Sequence, residues 1–328
     1  SGMEAVLSGA AMIKAGMADI ILAGGVEHMS GTPFVSLDAR WGCRLNDKVF
    51  ADAMTRGLHC GSHVQPLGED SPVKGLPIYE QFKGKPYIMG QTAEFLADMY
   101  GITREEMDEV ALRSHNGAER ATLNGDFAEE IVPVEIPQKR GKPSKFFDKD
   151  EHFRPGLTKD DLTKLPAAFL PKGGRVTAGN ASGLNDGASA MIIMSDDKAK
   201  ELGLKPLARI IASSRGGCHP SIMGASPVPA VRNLLKNNPQ FTVDSFDLME
   251  VNEAFASQYI ACERDLKLDR DKVNVNGSGI GLGHPVGSTG CRVIVTLLHA
   301  LKKRGKSLGM ATLCGGGGVS MTTVIELL

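Results

Sequence analysis

Apolar residues and glycine stops occur in the same order in two parts of the chain. In the first part, residues 2–15 are mostly small and apolar, which predicts a helix buried on most of its sides. Gly16 ends that helix, residues 19–23 predict a buried strand, and the glycines at 24–25 are expected to turn the chain. A helix, a glycine, a strand and further glycines recur near the C-terminus, which indicates an internal duplication.

The C-terminal part adds another strand and helix to this pattern. Residues 246–251 predict a buried strand, and residues 252–266 predict a helix that follows it directly. The Ser-Thr pair at 288–289 is suited to cap a helix over about 290–304, and residues 309–313 predict a further buried strand. Strands that alternate with helices in this way favour an α/β fold with a largely parallel central sheet.

Residues 31–182 differ from the rest of the chain in composition: their apolar runs are short, and proline, lysine and aspartate are frequent. This composition predicts an inserted, partly irregular domain. Its best-defined element is a helix that begins with a capping box from Thr103 to Glu106. The apolar face of this helix is formed by Met107, Val110, Ala111, Ser114 and Ala118. After the insertion, residues 185–194 predict a helix followed by a strand.

These patterns divide the chain into three units. Residues 1–30 and 183–205 form the remainder of an N-terminal half, residues 31–182 the inserted domain, and residues 206–328 the C-terminal half. If the two halves are duplicates, the N-terminal half is incomplete within this chain.

The charge and hydropathy of the chain exclude several classes of function. The formal net charge is −1, and so small a value gives no electrostatic basis for binding nucleic acid or an anionic membrane. No apolar run reaches the ~18 residues that a membrane span requires. We therefore expect neither a nucleic-acid partner nor a membrane-spanning segment.

The six cysteines are scattered without the spacing of a disulfide framework. This usage indicates free thiols and a reducing compartment, and we expect a cytoplasmic protein. His59, Cys60 and His63 lack further partners for a ligand set, so we expect no metal site and interpret them as loop residues. The run from Cys60 to Ser62 mimics a nucleophile motif only superficially, because no helix is predicted to follow it.

The candidate chemistry concentrates in residues 276–292, where glycines surround His284 on both sides. Glycine gives the backbone the freedom for a tight loop and lets another molecule approach the main chain. Pro285 then fixes the exit direction, and the following helix places its positive end near the imidazole. A lone histidine in such a turn is more often incidental, so the case depends on the residues that accompany it.

Two further side chains accompany His284. Asn252 directly follows the strand at 246–251, a usual position for a side chain that points into a cleft, although Asn is also a common helix cap. Cys314 follows the strand at 309–313 and stands before four consecutive glycines. Free cysteine is more often an inert core residue, but such a run exposes backbone N–H groups beside the sulfur.

In their order along the chain, the segments around these three residues resemble the thiolase family. They are Asn252-Glu-Ala-Phe-Ala256, Gly283-His-Pro285 and Cys314-Gly-Gly-Gly-Gly318. The resemblance extends over nearly the whole chain. It implies the thiolase fold, with two similar layered α/β halves whose catalytic loops face each other and an inserted loop domain that covers the substrate. It also implies acyl transfer between coenzyme A thioesters, by Claisen condensation or by CoA-dependent thiolysis of a 3-ketoacyl-CoA.

The resemblance implies roles for individual residues. Cys314 would be the base that takes the α-proton in condensation and protonates the leaving enolate in thiolysis. His284, together with a water held by Asn252, would stabilise the enolate oxygen, and the N–H of Gly316 would form part of a second oxyanion hole. No cofactor is implied, since the coenzyme A thioester is itself the substrate.

The same resemblance implies that Ser182 contacts the pantetheine and that Met89 borders the acyl site. Two departures from the family pattern affect this region. Ile88 stands where a family member has histidine, and residues 58–87 form a longer stretch than is usual at this point. If that stretch lines the acyl site, the acyl preference of relatives does not transfer to this chain.

The acyl-accepting cysteine of thiolases corresponds to a position two residues before Ser1. We therefore expect the nucleophile to come from a segment that precedes Ser1, and the chain alone to be inactive. If the two halves are duplicates, roughly 70 residues of strands and helices would precede Ser1. The partners implied are acyl-CoA, CoA and that N-terminal segment, within a homodimer or homotetramer.

Two alternatives stay open. A decarboxylating condensing enzyme of the β-ketoacyl synthase kind shares the architecture, but has a second His or Asn where this chain has Cys314. A non-catalytic subunit of thiolase fold would be expected to lose the other site residues too, whereas Asn252, His284 and Cys314 are all present. Both arguments favour the acyltransferase.

Overall fold

The helices and strands come from a computed structural model that describes residues 1–139 and 141–328. The α-helices are α1 (Gly2–Lys14), α2 (Ala53–Gly57), α3 (Pro77–Phe82), α4 (Met89–Met99), α5 (Arg104–Leu123), α6 (Lys159–Thr163), α7 (Asp196–Glu201), α8 (Pro227–Asn237), α9 (Ala256–Leu266), α10 (Gly279–Leu282) and α11 (Val286–Arg304). The strands are β1 (Ile20–His28), β2 (Phe34–Val35), β3 (Ala51–Asp52), β4 (Val134–Ile136), β5 (Lys145–Phe147), β6 (Asp186–Met194), β7 (Ala208–Gly217), β8 (Leu248–Val251), β9 (Leu308–Cys314) and β10 (Val319–Leu327). Short 3-10 helices lie at Met29–Gly31, Ala39–Trp41, Pro220–Ala225, Val243–Ser245 and Arg270–Lys272.

The C-terminal half contains a four-stranded sheet in the order β7-β10-β9-β8. β10 is antiparallel to both of its neighbours, and β8 with β9 is the parallel pair of this sheet. The expectation of a largely parallel sheet is therefore wrong. The four glycines between β9 and β10 form a tight turn, and strands joined by so short a connection must run antiparallel.

The N-terminal unit pairs β1 with β6 in antiparallel register, from Ile20 opposite Met194 to His28 opposite Asp186. This corrects two expectations, since the glycines at 24–25 do not turn the chain and residues 186–194 are strand throughout. The glycines are needed for close approach: a Cβ on Gly24 would lie 2.3 Å from the carbonyl oxygen of Ser189.

The strand at 19–23 and the helix at 2–15 are more exposed than their composition predicts. Ala23 is buried, but Leu22 is 74% and Val26 72% exposed, and α1 buries only residues of its first nine positions. Among residues 1–139 and 141–328, β1 and β6 have no other strand partner, whereas β9 and β10 in the C-terminal half each pair with a second strand. Within residues 1–139 and 141–328, β1 and β6 are therefore covered on one side only, by α1 and α11.

The helices α1 and α11 pack together between the two sheets and set the position of the candidate site. Their shared core contains Met3, Val6, Leu7, Cys291, Ile294 and Leu297. The approach is close, because a Cβ on Gly290 would lie 2.3 Å from the backbone nitrogen of Met3. α11 begins at Val286, before the cap expected at 288–289, and α9 begins at Ala256, so that Asn252 precedes the helix.

The inserted region contains the helix predicted from its capping box. Thr103 and Glu106 cap α5 reciprocally, and all five residues of the predicted apolar face are buried. Residues 58–87 build a separate small core against α4, formed by Leu67, Val73, Ile78, Tyr79, Tyr87 and Phe95.

All six cysteines are free thiols, as their scattered positions predict. Within the described part of the chain, no helix has both the length and the apolar character needed to cross a membrane.

Candidate active site

Asn252 and His284 meet at the ends of two different elements. Asn252 follows β8 directly, and His284 lies in the loop between α10 and α11. Nδ2 of Asn252 is 3.4 Å from Nε2 of His284, and both side chains are buried. The structure therefore brings together two of the residues that the sequence selects.

The His284 ring and its backbone are held by residues that sequence reasoning missed. Its Nδ1 is 2.7 Å from Oγ1 of Thr289, and its N–H donates to Oδ1 of Asn185 at 2.9 Å. Gly283 has a φ of +95°, and a Cβ there would lie 2.8 Å from Cγ of Asn185, so the position requires glycine. The signal for Asn185 in the sequence is its place in a glycine-flanked run, which does not indicate its partner.

The electrostatic surroundings keep His284 neutral. Burial lowers its pKa to about 4, and the positive charge of Arg292 acts in the same direction. A neutral imidazole has one N–H and one bare nitrogen, so it can donate to a developing oxyanion without carrying a charge itself.

A buried contact between Arg292 and Glu250 connects the two elements that carry Asn252 and His284. Nη1 of Arg292, on α11, is 3.8 Å from Oε2 of Glu250, on β8, and both side chains are largely buried. Burial raises the pKa of Glu250 to about 8, and Arg292 opposes that rise. Neither residue was selected from the sequence, because a single charge in an apolar strand does not reveal its partner.

Cys314 ends β9 at the same sheet edge at which Asn252 follows β8. The two strands are parallel there, and the N–H of Asn252 donates to the carbonyl oxygen of Thr312 at 3.1 Å. Burial raises the pKa of the Cys314 thiol to about 12. The sulfur is therefore a protonated thiol at neutral pH until a bound molecule changes its surroundings.

The glycine turn after Cys314 leaves a backbone donor free. The N–H of Gly315 donates to Val319 and that of Gly318 to Gly315. The N–H of Gly316 has no acceptor among the described residues, and Gly316 is exposed. An unpaired N–H beside a thiol is a suitable donor for an oxyanion.

Met89 and Ser182 lie around the segment that follows Asn252. The N–H of Ser182 donates to the carbonyl oxygen of Ala254 at 3.0 Å. Met89 belongs to the same buried apolar cluster as Phe255 and Cys314. Ser182 is thus tied to the segment that follows Asn252, and Met89 packs in the same core as that segment; their contacts with a substrate stay predictions.

Cys60, interpreted from the sequence as a simple loop residue, lies against the glycine turn. Its Sγ would be 2.2 Å from a Cβ placed on Gly316 and is 3.7 Å from Sδ of Met89. Its place in the chain, far from both partners, offers no signal of this contact.

The profile of the thiolase N-terminal domain matches residues 1–197, and that of the thiolase C-terminal domain matches residues 204–327. The chain is 48% identical over 332 residues to acetyl-CoA acetyltransferase of Syntrophomonas wolfei, covering 100% of this chain and 77% of that protein.

Solved structures show the same similarity. Acetyl-CoA acetyltransferase of Bacillus anthracis is 46% identical with a TM-score of 0.88, covering 100% of this chain and 77% of that one. Human mitochondrial 3-ketoacyl-CoA thiolase in complex with CoA is 39% identical with a TM-score of 0.87, covering 100% and 76%.

Proposed function

The chain belongs to the thiolase family and has its fold, and on that premise we propose how its residues share the work of acyl transfer between coenzyme A thioesters. The observation that carries the proposal is the contact of 3.4 Å between Asn252 and His284. It places two neutral hydrogen-bonding groups at one point, beside the sheet edge where Cys314 lies. A β-ketoacyl synthase would have His or Asn in place of that thiol, so the thiol favours thiolase chemistry.

Asn252 and His284 are proposed to stabilise the enolate oxygen. A proton on Nε2 of His284 and one on Nδ2 of Asn252 can both point at an oxygen atom, of substrate or of a water, placed between them. Donors fixed in a buried pocket need no reorganisation when the negative charge develops, and one such donor is typically worth about 10²–10³ in rate.

Cys314 is proposed to move the α-proton. In condensation its thiolate takes a proton from the α-carbon of an acetyl-CoA, and the enolate carbon attacks the carbonyl of an acyl-cysteine. The new C–C bond forms, the C–S bond to the acyl-cysteine breaks, and the electron pair leaves on that sulfur. In thiolysis the steps reverse, and the Cys314 thiol protonates the enolate. A pKa of about 12 suits the thiol form that thiolysis needs.

We propose that the acyl acceptor is a cysteine two positions before Ser1, as the family resemblance implies. One observation supports this position. Oγ of Ser1 donates to the carbonyl oxygen of Gly287 at 3.3 Å, so Ser1 lies against the start of α11, directly after the loop that carries His284.

The proposed ligands are acyl-CoA and CoA, with Ser182 toward the pantetheine and the N–H of Gly316 toward the acyl oxygen. The relative of known structure with bound CoA supports this class of ligand. A homodimer or homotetramer is the assembly that the family resemblance suggests, and light scattering would determine it.

Thiolysis of acetoacetyl-CoA tests the proposal. Residues 1–328 are compared with the same residues preceded by a segment carrying the cysteine two positions before Ser1. We expect turnover only in the extended protein, and loss of it in the extended His284→Ala variant. Thiolysis by residues 1–328 alone would overturn the position of the nucleophile. CoA binding without turnover in either form would support the non-catalytic alternative.

A further inference from the structure

The longer stretch at residues 58–87 delivers one side chain to the candidate acyl site. The turn that follows α2 places Cys60 with a φ of +45°, a left-handed conformation that is uncommon outside glycine. Sγ of Cys60 lies against the backbone of Gly316, where a Cβ would be only 2.2 Å away. The same sulfur is 3.7 Å from Sδ of Met89. The thiol of Cys60 therefore contacts both the glycine turn, where the N–H of Gly316 is unpaired, and Met89, the residue assigned to the acyl site.

This position is held from both ends of the turn. The carbonyl oxygen of Leu58 accepts from the N–H of Met89 at 3.0 Å, which fixes the turn to the start of α4. On the other side, Oγ of Ser62 donates to the carbonyl oxygen of Tyr87 at 2.6 Å and accepts from the N–H of Tyr87 at 3.0 Å. Ser62 is buried, so these bonds are protected from water.

The remainder of the stretch explains why the turn stays in place. Tyr79 and Tyr87 are buried in the small core that residues 58–87 form against Phe95 of α4. Aromatic residues of this size contribute much of the burial energy of a small cluster. The stretch is therefore a folded support for the turn at Cys60.

We propose that Cys60 is a specificity-determining residue that forms one wall of the acyl site and restricts it to short acyl groups. This inference rests on the proposed function, because it assumes that the N–H of Gly316 holds the acyl oxygen. An acyl group bound there and against Met89 must share its space with Sγ of Cys60. Cys60 is exposed, so the thiol can contact an acyl chain directly.

Binding measured by calorimetry tests the inference without requiring turnover. CoA, acetyl-CoA, butanoyl-CoA and hexanoyl-CoA are titrated into the extended protein, with alanine in place of the proposed nucleophile, and into its Cys60→Ala and Cys60→Met variants. Cys43→Ala is the matched control, since Cys43 is also an exposed free thiol. A change of one methylene-sized group in a pocket is worth about tenfold or more. We expect Cys60→Ala to tighten butanoyl-CoA by about tenfold, Cys60→Met to weaken it, and neither to change the affinity for CoA.

The outcomes separate this inference from the proposed function. If CoA binds and the affinities for the three acyl-CoA ligands are the same with Cys, Ala or Met at position 60, Cys60 does not restrict the acyl group. That result would leave the proposed function intact. No binding of CoA or acetyl-CoA to the extended protein or to any of its Cys60 variants would contradict the proposed function and this inference with it. Transfer of the acyl group to Cys60, seen as a mass increase at that residue, would show a nucleophile and not a wall.

Discussion

Oγ1 of Thr289 lies 2.7 Å from Nδ1 of His284 and 3.0 Å from the carbonyl oxygen of Pro285. When its hydroxyl donates to Pro285, it accepts from Nδ1–H, and Nε2 of the ring is bare and accepts from Asn252. When the hydroxyl turns to Nδ1, the proton moves to Nε2, which is the form that can donate to an oxyanion. Thr289 is thus placed to support either tautomer of the imidazole.

The variant Thr289→Val keeps the shape of the side chain and removes the hydroxyl. A hydrogen bond of this kind is worth about 1 kcal/mol, so we expect condensation by the extended protein to slow by about fivefold to tenfold. Nitrogen NMR of His284 should show altered populations of the two tautomers in Thr289→Val. Thr289→Ser, which keeps the hydroxyl, should have the wild-type tautomer populations and the wild-type rate. Unchanged NMR and unchanged rate in Thr289→Val would show that the hydroxyl does not select the tautomer.

The stability of the chain should depend on the protonation of His284. Its pKa is about 4 in the folded state, below the ordinary value of about 6.5. As the pH falls through this range the unfolded chain binds the proton first, so the stabilisation is present above about pH 6.5 and is lost toward pH 4. Linkage gives about 2 kcal/mol between pH 7 and pH 5 from this one group.

Urea unfolding at pH 7 and pH 5 measures this dependence. We expect His284→Asn to lose less stability on acidification than the wild type does. Burial also lowers the pKa of His115 to about 4, so His115→Asn should show a similar change and serves as a comparison outside the candidate site. An identical loss in wild type and His284→Asn would contradict the assignment of a buried neutral ring.

The variant Cys314→Ala separates proton transfer from acylation. A base in the correct position contributes about 10²–10⁴ in rate, so we expect carbon–carbon bond formation by the extended protein to fall by about 10²-fold or more. Acylation of the nucleophile by acyl-CoA, followed by mass spectrometry, should survive much better. Equal loss of the two partial reactions would argue that Cys314 is structural or is itself acylated.

Gly25, in β1, packs against the backbone of Gly287 just after the loop that carries His284. We expect a larger side chain at position 25 to destabilise the fold. A Cβ at this position would lie 2.0 Å from the carbonyl oxygen of Gly287. Because neither backbone can move freely, we expect Gly25→Ala to lower the free energy of unfolding by about 1–3 kcal/mol. Gly57→Ala is the control, since its Cβ would meet open space, and it should be nearly neutral. An unchanged free energy of unfolding in Gly25→Ala would show that the two backbones can move apart at little cost.

Features that depend on local pattern can be predicted from the amino-acid sequence. The family follows from three short segments in order, because the loops around Asn252, His284 and Cys314 need particular residue types at fixed places in the chain. The helix α5 follows from its capping box and its apolar face, since both lie within a single element.

Features that join residues far apart in the chain become visible only in the folded protein. Strand direction in the β7–β10 sheet and the strand state of residues 186–194 follow from the pairing of strands, which local periodicity does not encode. The contact between Glu250 and Arg292 and that between Cys60 and Gly316 join residues that are distant in sequence. Each requires a particular approach of two elements in space, so only the folded chain shows that Cys60 faces the candidate acyl site.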